Sequence, residues 1–197
     1  MPKQVDVDEQ KRVLFDAVWR LVAREGLEGV SLRTVAAEAG VSMGRVQHYF
    51  ASKDDLLIYS LQRAYDRMET RILDRLKGRE EDEQAALLAI LDELLGENAE
   101  TRDAIRVNVA FAARGQSDPR IMAVVTEGDR EIHELAVAVI AAAHAGEAGV
   151  DADLEARLLM ALASGLGIGV ALYGASSVLA RQTLDRHLQR VLPGVRI

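Results

Sequence analysis

The stretch LRTVAAEAGVSMGRVQHYF, residues 32–50, predicts two short helices that meet at a tight turn. Two helices that cross steeply need a small residue at their contact, and Ala36 supplies one. The turn needs a backbone with positive φ, which Gly40 adopts at little steric cost. The apolar residues placed to hold the pair against a preceding helix are Val35, Ala39, Val41 and Val46. Together these features predict a helix-turn-helix.

The second helix of this motif would present a polar face to its surroundings. In the major groove of DNA, arginine can read guanine and glutamine can read adenine, so Arg45 and Gln47 are candidates for base readout. The alternative is an ordinary helical hairpin inside a core, which a face so rich in hydrogen-bond donors disfavours. The candidate DNA-facing residues of this helix are Met43, Gly44, Arg45, Gln47 and His48.

Apolar residues recur at helical spacing along almost the whole chain, and no segment has the pattern of a strand. The predicted fold class is therefore all-α, with about nine helices. Because no flexible linker is present, the N-terminal motif domain, residues 1–52, should join residues 53–197 directly through a helix that starts near Lys53. Ser31, Ser42 and Asp151 are placed as helix caps, and Pro119 as a first helical residue. The expected helices are 7–25, 32–39, 43–49, 53–77, 83–95, 100–115, 119–144, 152–174 and 178–192.

Charge is distributed unevenly along the 197 residues, whose formal net charge is −7. Residues 1–53 hold eight Lys/Arg and seven Asp/Glu, a net charge of +1, so the remainder carries −8. Only a local surface must meet phosphates, so this balance is compatible with DNA binding. The absence of cysteine excludes disulfides and thiolate chemistry and fits a reducing cytoplasm.

No feature of the sequence predicts a metal ion or another cofactor. His133 and His144 are eleven residues apart, about three turns along one helix, which is too far to share an ion. The glycine-rich GLGIG at residues 165–169 lacks the preceding strand that a phosphate-binding loop requires. An enzyme built on either feature is therefore disfavoured.

Residues 158–180 contain no charge and are long enough to span a bilayer. Glycines and a serine pair interrupt this run, so we expect a buried helix at a subunit interface and no membrane span. Small residues spaced by four, at Ala161, Gly165 and Gly169, would let two helices approach closely. Leu184 and Leu188 on the last helix would complete a four-helix dimer interface.

Residues 14–60 resemble the DNA-binding domain of the TetR family of bacterial repressors. The stretches that carry the resemblance are GLEGVSLRTVAAEAGVS, HYF at 48–50 and the following SKDDLL. The pattern of residues 106–118 and the C-terminal SSVLARQTLDRHLQRVL are similar to the choline-responsive betaine-synthesis repressors. The resemblance implies an all-α homodimer in the cytoplasm, with an effector-binding and dimerisation domain over residues 53–197. Such a repressor would bind a palindromic double-stranded operator and be released by a small-molecule effector.

The resemblance also assigns expected DNA contacts by position. Tyr49 and Lys53 should contact phosphates, and Arg33, Thr34 and Ser42 should touch the DNA backbone as well. Two positions differ from the family pattern. Met43 stands where lysine is frequent, and Gln47 replaces a common aromatic residue that contacts thymine. His48 could donate to a phosphate or make a structural hydrogen bond.

Effector pockets in such folds lie among the helices over residues 53–144. Asn108 is the leading candidate, because a buried amide must find a partner and a ligand is one possibility beside a satisfied core asparagine. The candidate apolar walls are Tyr65, Met68, Phe111 and Met122. Few aromatic residues lie beyond the motif domain, so an aromatic cage for choline is not predicted. The rival hypothesis is a helical small-molecule-binding protein or enzyme that does not bind DNA.

Overall fold

Nine α-helices run through the described residues, 3–145 and 149–195, of the computed structural model, and these ranges contain no strand. A 3₁₀ turn at Leu27–Gly29 follows the first helix. The helices are α1 Lys3–Glu25, α2 Leu32–Glu38, α3 Met43–Tyr49, α4 Lys53–Arg75, α5 Glu83–Leu95, α6 Ala99–Gly115, α7 Pro119–Ala143, α8 Ala152–Tyr173 and α9 Ser177–Val191. The all-α prediction is confirmed. Predicted and observed ends differ by at most two residues, except that α1 begins earlier than expected.

Side-chain caps fix where several helices begin. The hydroxyl of Ser42 accepts from the Arg45 amide at 3.2 Å, and the carboxylate of Asp151 accepts from the Leu154 amide at 3.1 Å. Asp82 and Ser176, which sequence patterns did not single out, cap α5 and α9 in the same way. Each cap satisfies a backbone N–H that the helix itself leaves without a partner.

The chain packs as two compact units, each with its own apolar core. The first comprises Met1–Arg67 and Val107–Val125, and the second comprises Met68–Arg106 and Thr126–Ile197. Three helices therefore have residues in both units. The boundary falls after Arg67 in α4, after Arg106 in α6 and after Val125 in α7. These units are defined by packing. The functional boundary between residues 52 and 53, which separates the motif domain from the effector-binding and dimerisation domain, stays a prediction.

The core of the first unit joins the helix-turn-helix to the parts of α4, α6 and α7 that belong to this unit. Val35, Val46 and Leu57 are fully buried, and Phe111 from α6 is 1% exposed in the same cluster. The C-terminal half of α6 therefore stabilises the motif domain by burying apolar surface against it.

A buried carboxylate links helices within the second unit. Glu93 on α5 is 3% exposed, and Arg71 on α4 donates to it at 2.6 Å. Arg75 lies 2.9 Å from the other carboxylate oxygen, an ion-pair contact without hydrogen-bond geometry. Arg71 also meets Glu100 on α6 at 3.0 Å. Two arginines thus neutralise a charge that would be costly to bury alone.

Among the described residues one helix, α8, is long and apolar enough to cross a membrane when judged by length and composition alone. Its most apolar window has a mean hydropathy of 1.6, and one third of that window is buried in the single chain. A helix that packs in the core or at the interface of a globular protein has the same composition, so this finding is weak support for a membrane span.

Candidate nucleic-acid interface and effector region

The helix-turn-helix has the geometry that its sequence predicts. Gly40 adopts φ +66° in the turn, and the Val41 amide donates to the Ala36 carbonyl at 2.9 Å. Ala36 is 4% exposed at the helix contact. Ser31 and Thr34 form a reciprocal capping box at the start of α2, which fixes the entry of the chain into the motif.

Helix α3 is anchored on one side and exposed on the other. Val46 is fully buried and holds α3 on the core, while Tyr49 at its end is half-buried. The rings of His48 and Tyr49 lie edge to face with centroids 5.0 Å apart. The exposed residues of this segment are Ser42, Met43, Gly44, Arg45, Gln47 and His48. We call this set the α3 face.

Two arginines at the motif are free to meet an anion. The guanidinium groups of Arg33 and Arg45 are exposed and have no carboxylate or carbonyl partner within residues 3–145 and 149–195. The nearby acid Glu38 is already engaged, since Arg20 and Arg24 donate to its carboxylate at 2.7 and 3.1 Å. The hydrogen bond from Arg20, followed by that from Arg24, lowers the pKa of Glu38. The acid on α2 is thus screened by its own partners.

Two other predicted phosphate contacts have structural roles within the chain. Lys53 Nζ donates to the Leu27 carbonyl at 3.0 Å, which ties the start of α4 to the segment after α1. An ammonium has three protons, so this bond leaves two for another acceptor. The Thr34 hydroxyl is half-buried in the capping box and lies 2.9 Å from the Gly29 carbonyl. Contacts of Lys53 and Thr34 with DNA stay predictions.

A set of ion pairs near the motif was not found from sequence. Arg114 at the end of α6 donates to Asp54 in the first turn of α4 at 3.0 Å. Arg120 on α7 lies 3.5 Å from Asp55 and 3.2 Å from Asp118. The hydrogen bond from Arg120 is the main cause that lowers the pKa of Asp118. All these residues belong to the first unit, so the turn between α6 and α7 is held to the start of α4.

The predicted effector residues are only partly brought together. Asn108 Nδ2 donates to the Tyr65 hydroxyl at 3.0 Å, so the amide has a partner within the chain. Phe111 is fully buried in the core of the first unit, against which Tyr65 also packs. Met122 is half-buried and lies next to Gly115. Met68 belongs to the second unit, where it packs with Ile72 and Leu76 among others. Binding of an effector by these five residues therefore stays a prediction.

The predicted dimer residues fall into two groups. Ala161 and Gly165 are exposed, and Gly169 is half-buried. Leu184 and Leu188 are 0% and 1% exposed in the core of their own chain, so they have no surface left for a partner. The interface role expected for these two leucines is therefore corrected, because they support α9 from within.

The exposed leucines of α8, which sequence patterns did not single out, extend the surface predicted around Ala161 and Gly165. Three exposed leucines on this helix share a stripe with Ala161, Gly165 and the half-buried Ile168. Successive members are three or four residues apart, which places them on one side of a helix. The members of this α8 stripe are Leu154, Leu158, Ala161, Gly165, Ile168 and Leu172.

The histidines and acids of the described residues form no group of three or more that could hold a metal ion. His133 Nε2 lies 2.8 Å from Asp153, and His144 Nε2 lies 2.8 Å from the Val191 carbonyl. Both imidazoles are thus engaged in contacts between helices.

A capped helix-turn-helix with an exposed, cationic second helix on an all-helical body defines a DNA-binding regulator. Residues 14–59 match the profile of bacterial regulatory proteins of the tetR family, and residues 83–193 match the C-terminal domain of BetI-type transcriptional repressors. The chain belongs to the TetR family. It is a transcriptional regulator with a BetI-type repressor domain and is not an enzyme.

Relatives agree with this assignment. The HTH-type transcriptional regulator PksA of Bacillus subtilis is 30% identical over 168 residues, which are 85% of this chain and 82% of PksA. The HTH-type transcriptional regulator BetI of Burkholderia lata is 28% identical over 68% of this chain and 69% of its own length.

Solved structures have the same fold over almost the whole chain. A putative transcriptional regulator from Saccharomonospora viridis, in complex with choline, superimposes with a TM-score of 0.81 at 26% identity, covering 92% of this chain and 96% of its own. A transcriptional regulator from Rhodococcus sp. Rha1 gives a TM-score of 0.75 at 28% identity, covering 95% and 98%.

Proposed function

We propose that this protein is a cytoplasmic, homodimeric repressor that binds a palindromic operator and is released by a small-molecule effector. The observation that carries the DNA-binding role is the exposed α3 face. Its member Arg45, and Arg33 on α2, have no carboxylate or carbonyl partner among the described residues. Each subunit of the dimer would place α3 in the major groove of one half-site. The two half-sites would lie about one helical turn apart, roughly 34–36 Å.

The α8 stripe supports the proposed dimer. Its exposed leucines would cost free energy in water, and a second copy of the chain can cover them across a twofold axis. Ala161 and Gly165 lie in the middle of the stripe. Apart from its chain neighbours and the backbone of α8 itself, no described atom lies within 4 Å of a Cβ built on Gly165. Small residues there allow the helices of the two subunits to approach closely.

Helix α6 supports a route from effector to DNA. Asn108 bonds Tyr65 in the middle of α4, and Arg114 on the same helix pairs with Asp54 in the first turn of α4. An effector that bonds Asn108 would therefore act on a helix that also holds the start of α4. Such a ligand changes DNA binding only if it binds the two conformations with different affinity.

The effector proposed here exchanges hydrogen bonds with the Asn108 amide. A quaternary ammonium such as choline prefers a cage of several aromatic faces. The proposed effector residues include two aromatic side chains, Tyr65 and Phe111, which are too few for such a cage. In a thermal-shift screen of metabolites and drugs, a ligand that raises the melting temperature should lose its effect on Asn108→Ala and keep it on Gln84→Ala, an exposed α5 control. Choline should leave the melting temperature unchanged, and a saturable shift by choline would contradict this choice of chemistry.

DNA binding is tested with the fragment upstream of the protein's own gene in fluorescence anisotropy. Wild type should bind with an affinity that falls steeply as salt increases, because counterions are released from the phosphates. Arg45→Ala should weaken binding by about 5- to 150-fold, the value of one good base contact. Arg79→Ala, an exposed and ion-paired arginine in the second unit, should bind like wild type. Equal loss in both variants, or no binding at low salt, would refute the proposal.

A further inference from the structure

Gly44 lies at the centre of the α3 face. Val46 is the buried anchor of the helix, and at about 100° per residue Gly44 stands about 160° away from it around the axis. A glycine inside a helix costs stability relative to alanine. Apart from its chain neighbours and the backbone of its own helix, no described atom lies within 4 Å of a Cβ built on Gly44, so packing within the chain does not require a glycine there.

A missing side chain at this position lets α3 approach a groove more closely. A helix with its side chains is about 10–12 Å across, and the major groove is about 12 Å wide. His48 also stands about 160° from Val46, but it lies one turn after Gly44. A side chain at position 44 would therefore keep the first turn of α3, whose residues meet the base edges in a helix-turn-helix, away from those edges. Met43 and Gln47, four residues apart, line one flank of the face, and Arg45 lines the other.

Met43 is the apolar member of this face. It is 39% exposed, and no other large apolar side chain among the described residues of the first unit is exposed to this extent. Its neighbours on the face are polar or lack a side chain. A thioether gains little from phosphates, whereas the major groove offers one apolar group, the C5-methyl of thymine.

We propose that Met43 contacts the C5-methyl group of one thymine in each half-site and that Gly44 allows the close approach this contact needs. The inference rests on the proposed DNA-binding function and adds a base preference to it.

The test uses the duplex that wild type enriches most from a random-sequence pool, with each thymine replaced in turn by deoxyuridine, which removes only the methyl group. One thymine per half-site should weaken wild-type binding by about fourfold when replaced, the value of one buried methyl group. Met43→Ala should lose sensitivity at that position alone, and Met43→Leu should keep it. Sensitivity that persists in Met43→Ala, or no sensitive thymine, overturns the contact.

The role of Gly44 is tested separately with Gly44→Ala. The variant should melt no lower than wild type, since the added Cβ meets nothing and alanine favours the helix. Its affinity for the same duplex should fall by about fivefold or more, the cost of one lost base contact. Unchanged affinity overturns the close approach. If wild type enriches no sequence and binds no duplex, both the proposed DNA-binding function and this inference are wrong. If wild type enriches a sequence but deoxyuridine has no effect at any position, only the proposed Met43 contact is wrong.

Discussion

Leu158 and Leu73 offer a matched test of the α8 stripe as a dimer interface. Both leucines keep about half of their surface exposed in the single chain, 47% for Leu158 and 48% for Leu73. Leu158 belongs to the stripe, whereas Leu73 lies on α4. We expect Leu158→Arg to dissociate the dimer and Leu73→Arg to leave it intact.

The size of the effect follows from the exposed half of Leu158. Burying a whole leucine side chain contributes about 1.5–3 kcal/mol, so a partner that covers the remaining half adds about 1 kcal/mol. A twofold interface uses the residue twice, so losing both contributions weakens association by about 2 kcal/mol, roughly 30-fold in Kd. Two guanidinium groups that must lose water add to this loss, which makes 30-fold a lower bound.

Sedimentation velocity over a dilution series measures the dimer fraction of wild type and of both variants. Circular dichroism melts show whether the helical content and the fold are retained, so that dissociation is not mistaken for unfolding. Leu158→Arg should be monomeric at concentrations where wild type and Leu73→Arg are dimers. A Leu158→Arg protein as dimeric as wild type, or equal dissociation of both variants, would refute the interface.

Three further predictions concern stability. Gly40→Ala should lower the free energy of unfolding by about 1 kcal/mol in urea denaturation, because alanine is strained at φ +66°; an unchanged value would contradict this. Glu93→Ala should lower it by about 1.5–3 kcal/mol, because Arg71 and Arg75 lose a buried carboxylate while Arg71 keeps its contact with Glu100; a loss below about 1 kcal/mol would show that these ion pairs contribute no more than exposed ones. Burial, followed by the charge of Arg190, lowers the pKa of His187. His187 therefore binds a proton more readily in the unfolded chain than in the folded one. The free energy of unfolding should be highest above about pH 6.5 and should decrease as the pH falls below it. His187→Gln should flatten the melting profile between about pH 7 and 5, and an identical slope would count against this role.

Local chemistry made the helix ends predictable. A cap such as Ser42 or Asp151 bonds a backbone amide only three residues away, and Gly40 needs no distant contact to adopt its turn. Periodicity also located the apolar faces of α8 and α9. It could not show which apolar residues their own chain covers, because a buried leucine such as Leu184 and an exposed one such as Leu158 satisfy the same pattern.

Long-range contacts lay beyond the sequence for a physical reason. Arg114 and Asp54 are 60 residues apart, and nothing near either one indicates the other. Gly167 illustrates the same limit, since a Cβ there would overlap the Leu94 carbonyl oxygen on α5. Composition marks Gly165, Gly167 and Gly169 equally as small residues, and only packing shows that Gly167 is needed within the chain while Gly165 faces outward.

The magnitudes in the first unit limit how an effector could switch DNA binding. The hydrogen bond from Asn108 to Tyr65 contributes about 1 kcal/mol, which shifts a two-state equilibrium about fivefold if a ligand breaks it. A nearly complete switch needs about 5.5 kcal/mol of differential binding. An effector bound at Asn108 must therefore also change contacts elsewhere on α6. The pair between Arg114 and Asp54 lies six residues further along, about 9 Å at 1.5 Å per residue, and it holds the turn of α4 that follows the DNA-binding motif. Exposed pairs of this kind contribute at most about 1 kcal/mol each. Most of the switching free energy must then come from the packing of Phe111 and its neighbours, which makes the apolar core of the first unit the part of the molecule that an effector has to rearrange.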